Sequence, residues 1–139
     1  LSACAYFGAV HAALASGMSR RGALSHESAH VRELIDAGLH PAIEEVARGS
    51  FSSKQPPEIV GSGYVVNSLE AALWAFIGAD DFESAVLRAV NLGDDADTTG
   101  AIYGQLAGAY YGFNGIPASW RNRIADGDLI DELAHGLIR

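Results

Sequence analysis

Apolar residues recur at three- and four-residue spacing along almost the whole chain, whereas strict alternation of apolar and polar residues is nearly absent. The first spacing places apolar side chains on one face of a helix, and the second would indicate a strand. The pattern therefore predicts an all-α fold, a compact orthogonal multi-helical bundle. Residues 1–139 are expected to form one helical domain, either complete or as the C-terminal part of a larger one.

Glycines, prolines and capping residues divide this pattern into separate helices. The helices are predicted over about residues 1–16, 25–37, 41–48, 69–77, 82–92, 98–111 and 117–124, followed by a last helix near the C-terminus. Ser25 is expected to cap the second helix, and Asn67 or Ser68 the fourth. Residues 49–63 are rich in serine, proline and glycine and form the longest irregular stretch, and loops of this length are often functional.

The composition indicates which kinds of site and which cellular location to expect. Hydrophobic residues make up 49% of the chain, yet it contains no run of about 18 apolar residues that would span a bilayer. The formal net charge is −8 and only nine residues are basic, so a nucleic-acid groove, which needs clustered Lys and Arg, is not expected. Cys4 is the only cysteine, which excludes an intrachain disulfide and fits a reducing compartment. The cytoplasm is the expected location.

The chain begins at Leu1, without a methionine, inside an apolar segment that has the pattern of a helix already under way. It lacks the capping residue and the polar lead-in that normally precede a helix, and it shows no features of a signal peptide. We therefore expect that the sequence is a fragment, or one piece of a processed protein.

The most distinctive run of the chain is GDDADTTG at residues 93–100. Asp95 and Asp97 lie two positions apart just before a helical pattern, where a turn can aim both carboxylates at one point while Thr98 adds a hydroxyl oxygen. Oxygen ligands of this kind suit Mg²⁺ or Ca²⁺ and not Zn²⁺. A bound cation would also relieve the repulsion between the carboxylates. The alternative is that Asp97 is only the N-cap of the helix and that Asp95 is solvated.

The sequence around this run, over residues 91–112, resembles the ADP-ribosylglycohydrolase family, including the dinitrogenase reductase-activating glycohydrolases. In that family a corresponding segment supplies ligands to a two-magnesium centre. The resemblance therefore implies that Asp95, Asp97 and Thr98 bind Mg²⁺. Asp94 stands where many relatives have a second glycine, and we interpret it as a variant and not as a ligand.

The segment GSGYVVNSLEAALW at residues 61–74 also resembles this family, in which a glycine-rich turn and its tyrosine border the ADP-ribose pocket. By this resemblance Gly61, Ser62, Gly63 and Tyr64 are expected to bind the substrate, with Tyr64 in direct contact. Glycines permit close approach of the backbone, and a tyrosine ring offers a face for adenine or ribose. The alternative for Tyr64 is a half-buried aromatic residue of the core.

The resemblance extends to about Trp120 and implies magnesium-dependent cleavage of ADP-ribose from a protein side chain, such as arginine, or from a related acceptor. Family members carry two further motifs nearer the N-terminus that supply the remaining metal ligands, and neither motif occurs here. We therefore expect this chain to hold only about half of the metal centre. The general base is expected in the missing part, which an upstream fragment or a second chain would supply. A non-catalytic helical protein that binds ADP-ribose or acts as a scaffold is the alternative.

Gly100, Gly104, Gly108 and Gly112 recur every four residues after the acidic run and so share one face of the predicted helix. Each glycine inside a helix costs about 0.8 to 1 kcal/mol relative to alanine. We therefore expect a compensating contact, in which another backbone packs closely against the glycine stripe and holds the acidic run in place.

The run HESAH, which begins at His26, matches the HExxH pattern that on a helix can bind zinc through two histidines, with the glutamate as general base. Glu44 or Glu45 lies at a plausible distance for a third ligand, so a zinc peptidase is the rival hypothesis. Against it, His26 falls in the first turn after the expected cap at Ser25, and the sequence offers no strand to form a substrate edge. We therefore interpret the run as a solvated helix start.

Overall fold

The computed structural model describes residues 1–138, which form ten α-helices and a short 3₁₀ turn and include no strand. The helices are α1 (Ser2–Ala15), α2 (Arg20–Leu24), α3 (Ala29–Asp36), α4 (Pro41–Ala47), α5 (Ser50–Ser53), α6 (Val65–Ile77), α7 (Phe82–Val90), α8 (Ala96–Tyr111), α9 (Ala118–Arg121) and α10 (Gly127–Leu137). The all-α fold predicted from the hydrophobic pattern is confirmed. Over the same residues, each helix is too short or too polar to cross a membrane.

Two long helices, α6 and α8, form the centre of the fold. α6 packs against α7 and α8, and α8 also packs against α1. All residues from 68 to 76 are buried, so α6 is enclosed on nearly every side. Phe76 of α6 meets Tyr103 of α8 edge to face, with ring centroids 6.3 Å apart. Burial of one such side chain stabilises a fold by about 1.5–3 kcal/mol. This contact therefore holds α8, and with it the acidic run that precedes α8, against the most buried helix of the molecule.

Arg20 of α2 joins the C-terminal ends of α6 and α8. Its Nη1 donates hydrogen bonds to the carbonyl oxygens of Phe76 at 3.0 Å and Ala79 at 2.5 Å, and lies 3.3 Å from the hydroxyl of Tyr111. The last carbonyls of a helix lack partners within it, so a cation placed there satisfies them and complements the helix dipole. The two central helices therefore run parallel, with their C-terminal ends held together by one guanidinium.

Helix α6 begins at Val65, four residues before the predicted start. Ser68 lies inside the helix, and its hydroxyl donates to the carbonyl oxygens of Tyr64 and Val65, each at 3.3 Å. Ser62 instead organises the entry to the helix, since its Oγ accepts hydrogen bonds from the Tyr64 N–H at 3.3 Å and the Asn67 amide at 3.0 Å. The prediction that Asn67 or Ser68 caps this helix is therefore wrong, because a side-chain bond formed one turn earlier competes for the same role.

Residues 20–36 form two helices where one was predicted to begin at Ser25. Ser19 caps α2 by accepting a backbone N–H at 3.1 Å, and Ser25 ends that helix. The Oγ of Ser25 accepts the Glu27 N–H at 3.2 Å, a local turn that competes with helical hydrogen bonding. For this reason α3 begins only at Ala29.

The glycine stripe on α8 does not pack as predicted. A Cβ added at Gly100 would lie 3.1 Å from Cγ1 of Val90, but at Gly104 and Gly108 it would have none of the described neighbouring atoms within 4 Å. Gly112 ends the helix with φ of 69°. The expected close approach of a second backbone along the stripe is therefore wrong, and side chains on the other faces of α8 supply its packing.

Asp81 is the N-cap of α7, and its carboxylate accepts hydrogen bonds from the N–H of Ser84 at 2.8 Å and from its hydroxyl at 2.7 Å. These bonds hold the pKa of Asp81 below its ordinary value. A lowered pKa in the folded state means that the contribution to stability is present above the unfolded-state pKa and is lost as the pH falls through the folded-state pKa.

Replacing Asp81 by alanine is therefore expected to lower the midpoint of thermal unfolding at pH 7, and the difference from the parent protein is expected to shrink in strong acid. Circular dichroism melts at a series of pH values measure both effects. Asp81→Asn is the matched control, because the amide oxygen still caps the helix at every pH. A deficit of Asp81→Ala that stays constant down to pH 2 would contradict this origin of the stability.

Candidate active site

The acidic loop, residues 93–97, joins α7 to α8 through a tight turn. Gly93 and Asp94 both have a left-handed backbone conformation, with φ of 77° and 51°. This conformation favours glycine, and aspartate and asparagine tolerate it better than most other residues. Asp94 therefore occupies a position that suits glycine, in agreement with its interpretation as a variant of the family sequence.

Asp95 anchors the loop through its main chain. Its N–H donates to the carbonyl oxygen of Gly61 at 2.8 Å, and its own carbonyl oxygen accepts both the N–H and the hydroxyl of Thr99 at 3.1 Å. Asp95 is the N-cap of α8, which begins at Ala96, two residues before the predicted start. Its side chain makes no capping bond in the described structure, so the carboxylate does not cap the helix.

The carboxylate of Asp95 lies against the glycine-rich turn, because a Cβ added at Gly63 would be 3.0 Å from Asp95 Oδ2. Sharing of a carboxyl proton with the neighbouring Asp95 side chain favours the ionised form of Asp97. This effect, together with the Thr98 N–H that donates to Asp97 Oδ1 at 3.0 Å, holds the pKa of Asp97 below its ordinary value. Two carboxylates thus meet beside the turn, and the alternative in which Asp97 is the N-cap of α8 is wrong.

The glycine-rich turn, residues 61–63, leads directly into α6. Gly61 is buried, and a Cβ added there would lie 3.1 Å from Oγ1 of Thr99. Tyr64 is the N-cap of α6, with 56% of its surface exposed, so the alternative of a core aromatic residue is wrong. Tyr64 lines a cleft of about 310 Å³, whose other walls include residues 1–3 and the first residues of α6.

The N-termini of α6 and α8 therefore lie side by side. The bond between Gly61 and Asp95 joins them at this end, and Arg20 joins the same two helices at the other end. The N-terminus of a helix carries partial positive charge and unpaired N–H groups. Two such ends beside an exposed tyrosine form a surface that can receive an anionic ligand such as a pyrophosphate.

The donor atoms of the acidic loop fit a hard cation. Asp95 and Asp97 offer carboxylate oxygens and the exposed Thr98 a hydroxyl oxygen, and Mg²⁺ is commonly held by one or two carboxylates together with several waters. Within residues 1–138, no group of three or more His, Cys, Asp or Glu side chains could hold a metal ion by itself. The oxygen atoms of Asp95, Asp97 and Thr98 therefore fit part of a ligand set for Mg²⁺.

The sequence model of one protein family, described as ADP-ribosylglycohydrolase, matches residues 1–139. The chain belongs to this family. It is 39% identical over 137 residues to the ADP-ribosylarginine hydrolase Tri1 of Serratia proteamaculans (strain 568), an alignment that covers 99% of this chain and 35% of that relative. It is also 40% identical over 70 residues to the ADP-ribosyl-(dinitrogen reductase) glycohydrolase of Rhodospirillum rubrum, over 50% of this chain and 24% of that relative.

A solved structure of an ADP-ribosylglycohydrolase-related protein complex has the same fold. Its TM-score is 0.81 at 40% sequence identity, over 93% of this chain and 43% of that chain. The predicted ADP-ribosylglycohydrolase-like fold is thereby confirmed. The chain spans 35% of the length of Tri1 and less than half of the solved structure.

In this member of the ADP-ribosylglycohydrolase family, the HExxH run does not adopt the geometry of a zinc site. His26 lies in the turn before α3, and only His30 is part of the helix. The Nε2 of His30 is 2.9 Å from the carbonyl oxygen of Ala23, so this ring packs back onto α2. A zinc peptidase of this type requires both histidines on one helix. The zinc-peptidase hypothesis is therefore wrong for this motif.

Thr99 is the residue of this site that sequence reasoning missed. It is fully buried between the acidic loop and the glycine-rich turn, next to the exposed Thr98 that the resemblance singled out. Its hydroxyl reaches the carbonyl oxygen four residues earlier, at Asp95. A threonine at this spacing from a helix start is a recognisable signal for such a bond, although only the fold reveals the contact with Gly61.

Proposed function

We propose that this chain forms part of a magnesium-dependent hydrolase that cleaves ADP-ribose from a modified protein side chain. The observation that carries the proposal is the direct contact between the acidic loop and the glycine-rich turn. The Asp95 N–H donates to Gly61 at 2.8 Å, and Gly63 lies against the Asp95 carboxylate. A cation on the loop would therefore sit beside a ligand that covers the turn.

The chemical class of the substrate follows from the names of the relatives. One relative is an ADP-ribosylarginine hydrolase, and another is a glycohydrolase of ADP-ribosylated dinitrogen reductase. Both names describe proteins that act on ADP-ribose joined to a protein or an arginine. For this chain we propose the same class of bond, a glycosidic bond between ADP-ribose and an acceptor such as arginine.

Each residue of the site has a distinct proposed part. Asp95, Asp97 and Thr98 would hold Mg²⁺, which when bound supplies positive charge that orients ribose hydroxyls and polarises water. The exposed Tyr64 ring would pack on adenine or ribose. A second polypeptide, or a further part of a longer chain, would supply the remaining metal ligands and the general base.

A second candidate function is ADP-ribose binding without catalysis. It is favoured by the incomplete metal-ligand set of residues 1–138. The two candidates differ in one measurement, the release of ADP-ribose from an ADP-ribosylated arginine peptide. Release in the presence of Mg²⁺, by the chain together with the part that supplies the remaining ligands and the general base, supports a hydrolase. Binding of the peptide without release by that complete protein supports the second candidate.

Nuclear magnetic resonance tests the site itself and detects weak binding. We expect Mg²⁺ to shift the amide resonances of Asp95, Asp97 and Thr98, and ADP-ribose added afterwards to shift those of Gly63 and Tyr64. Chelation of the metal with EDTA should weaken ADP-ribose binding at least about tenfold, because carboxylates left without a cation repel the pyrophosphate.

Matched variants assign this effect to the two proposed carboxylate ligands. Asp95→Asn and Asp97→Asn should each weaken Mg²⁺-dependent binding at least about tenfold, because each removes a charged ligand. Asp94→Asn is the control, since it makes the same change of charge and asparagine also tolerates the left-handed conformation. The proposal fails if ADP-ribose leaves the turn unshifted with and without Mg²⁺, or if Asp94→Asn is as damaging as Asp95→Asn.

A further inference from the structure

A separate cleft of about 670 Å³ lies between the segment 56–60 and one face of α7. Its walls are mainly apolar and include Pro57, Val60 and Leu87, while Trp74 of α6 and Arg88 of α7 also line it. Small-molecule sites commonly have volumes of about 300–1,000 Å³, with apolar walls and few polar groups. Of the described residues that line the cleft, none belongs to the acidic loop or the glycine-rich turn.

Arg88 is held in place within this cleft. Its guanidinium carbon lies 3.9 Å from the centroid of the Trp74 ring, a favourable position for a cation. The indole is itself fixed by a hydrogen bond from its Nε1 to Gln55 at 3.2 Å. Gly78 leaves the space that the guanidinium needs, because a Cβ there would be 2.5 Å from Arg88 Nη2. The cation is therefore positioned before any ligand arrives.

Arg88 also lacks a partner within residues 1–138, where its Nε is buried without an acceptor. Arg20 and Arg48, by contrast, form ion pairs with Asp80 and Glu44 at 3.4 Å and 2.7 Å. Buried donors in folded proteins nearly always have acceptors, so an unpaired guanidinium calls for an explanation. The lining residues of the cleft that the structure describes include no carboxylate, although the chain as a whole carries a net charge of −8.

We propose that this cleft binds a small apolar molecule bearing one carboxylate or phosphate group, and that Arg88 receives the anionic group. The planar guanidinium presents parallel N–H donors that match both anions. The apolar walls receive the body of the ligand. Because the protein as a whole repels anions, the local charge of Arg88 decides whether the ligand is bound.

Binding is measured from the indole N–H resonances of the two tryptophans, Trp74 and Trp120. The probes are benzoate, phenyl phosphate and the uncharged benzyl alcohol. We expect one or both anions to shift the Trp74 resonance saturably while Trp120 stays unchanged. Benzyl alcohol should bind at least about tenfold more weakly, because a hydrogen bond between two charged groups is stronger than one to a neutral hydroxyl. The tighter of the two anions identifies a carboxylate or a phosphate ligand.

Substitutions test the part played by the guanidinium. Arg88→Gln should weaken anion binding at least about tenfold, and Arg88→Lys should retain more of it, because the charge remains. Arg32→Gln is the matched control, since Arg32 is exposed on α3, away from the residues that line the cleft. It should bind the anions as the parent protein does.

A second variant tests the proposal independently, in case Arg88→Gln does not fold. Ser84→Glu places a carboxylate one turn before Arg88, and with Asp81 at the N-cap it completes a capping box that favours the helix. It should abolish the preference for anions, whereas Ser84→Gln, which adds a side chain of the same size without a charge, should keep that preference. The proposal is overturned if benzyl alcohol binds as tightly as the anions, if Ser84→Glu keeps the preference, or if no probe shifts Trp74.

Discussion

Replacing Lys54 by methionine is expected to lower the free energy of unfolding by about 3 kcal/mol, because it leaves a buried carboxylate without its cation. The Nζ of Lys54 lies 2.9 Å from Oε1 of Glu70, whose side chain is only 8% exposed. The hydroxyl of Ser50 donates to the same oxygen. The bond to Glu70 is the largest cause that raises the pKa of Lys54, so the amine stays charged. Urea unfolding at pH 7 measures the loss.

The second carboxylate beside Lys54 provides the control. Glu45 lies 3.2 Å from the same Nζ but is 65% exposed, so Glu45→Gln should cost less than about 1 kcal/mol. The double variant Lys54→Met/Glu70→Gln should regain most of the stability, because the neutral amide no longer needs a cation. If the double variant is as unstable as Lys54→Met alone, lost packing of the lysine stem is the cause and not an unpaired charge.

The sequence correctly predicted the start of α7 at Phe82, because the signal for this start is local. Asp81 caps α7 within one turn of its own chain, and its side chain bonds to Ser84, three residues on. The apolar pattern of α7 and α8 was likewise sufficient to place both helices to within a few residues. Local hydrogen bonds and helical periodicity can both be recognised in the sequence without knowledge of the fold.

Predictions failed where tertiary contacts or a competing local bond decide the structure. The exposed Tyr64 makes no capping bond, yet it is the N-cap of α6, where Ser62 organises the entry and the carbonyl oxygen of Gly61 accepts the N–H of Asp95, far along the chain. Ser25 has the right type for a cap, but its hydroxyl closes a turn with Glu27 instead. The sequence alone does not reveal which of two possible partners a hydroxyl will find.

The candidate site was likewise only partly predictable from the sequence. Resemblance to the family brought the glycine-rich turn and the acidic loop together as parts of one site, and their contact through Gly61, Gly63 and Asp95 agrees with that expectation. The metal roles of Asp95, Asp97 and Thr98 stay predictions, because within residues 1–138 no group of three or more His, Cys, Asp or Glu side chains marks a metal site.

Glycine to alanine substitutions in the glycine-rich turn and in the middle of α8 are expected to change stability in opposite directions. Gly61 is buried, and a Cβ there would meet Thr99 Oγ1 at 3.1 Å and the Gly93 carbonyl oxygen at 3.4 Å. Gly61→Ala should therefore lower the free energy of unfolding by about 2 kcal/mol through overpacking. It should also move Asp95, which is bound to the Gly61 carbonyl oxygen, and so weaken Mg²⁺-dependent binding of ADP-ribose.

Gly104→Ala is the opposite case, because the added Cβ has open space among the described atoms and lies inside α8. Alanine there should raise the free energy of unfolding by up to about 1 kcal/mol, since glycine is the poorer helix former. Urea unfolding of both variants gives a difference of about 3 kcal/mol between two chemically identical changes. Equal destabilisation by both would contradict the prediction, because it would mean that Gly104 is as tightly packed as Gly61.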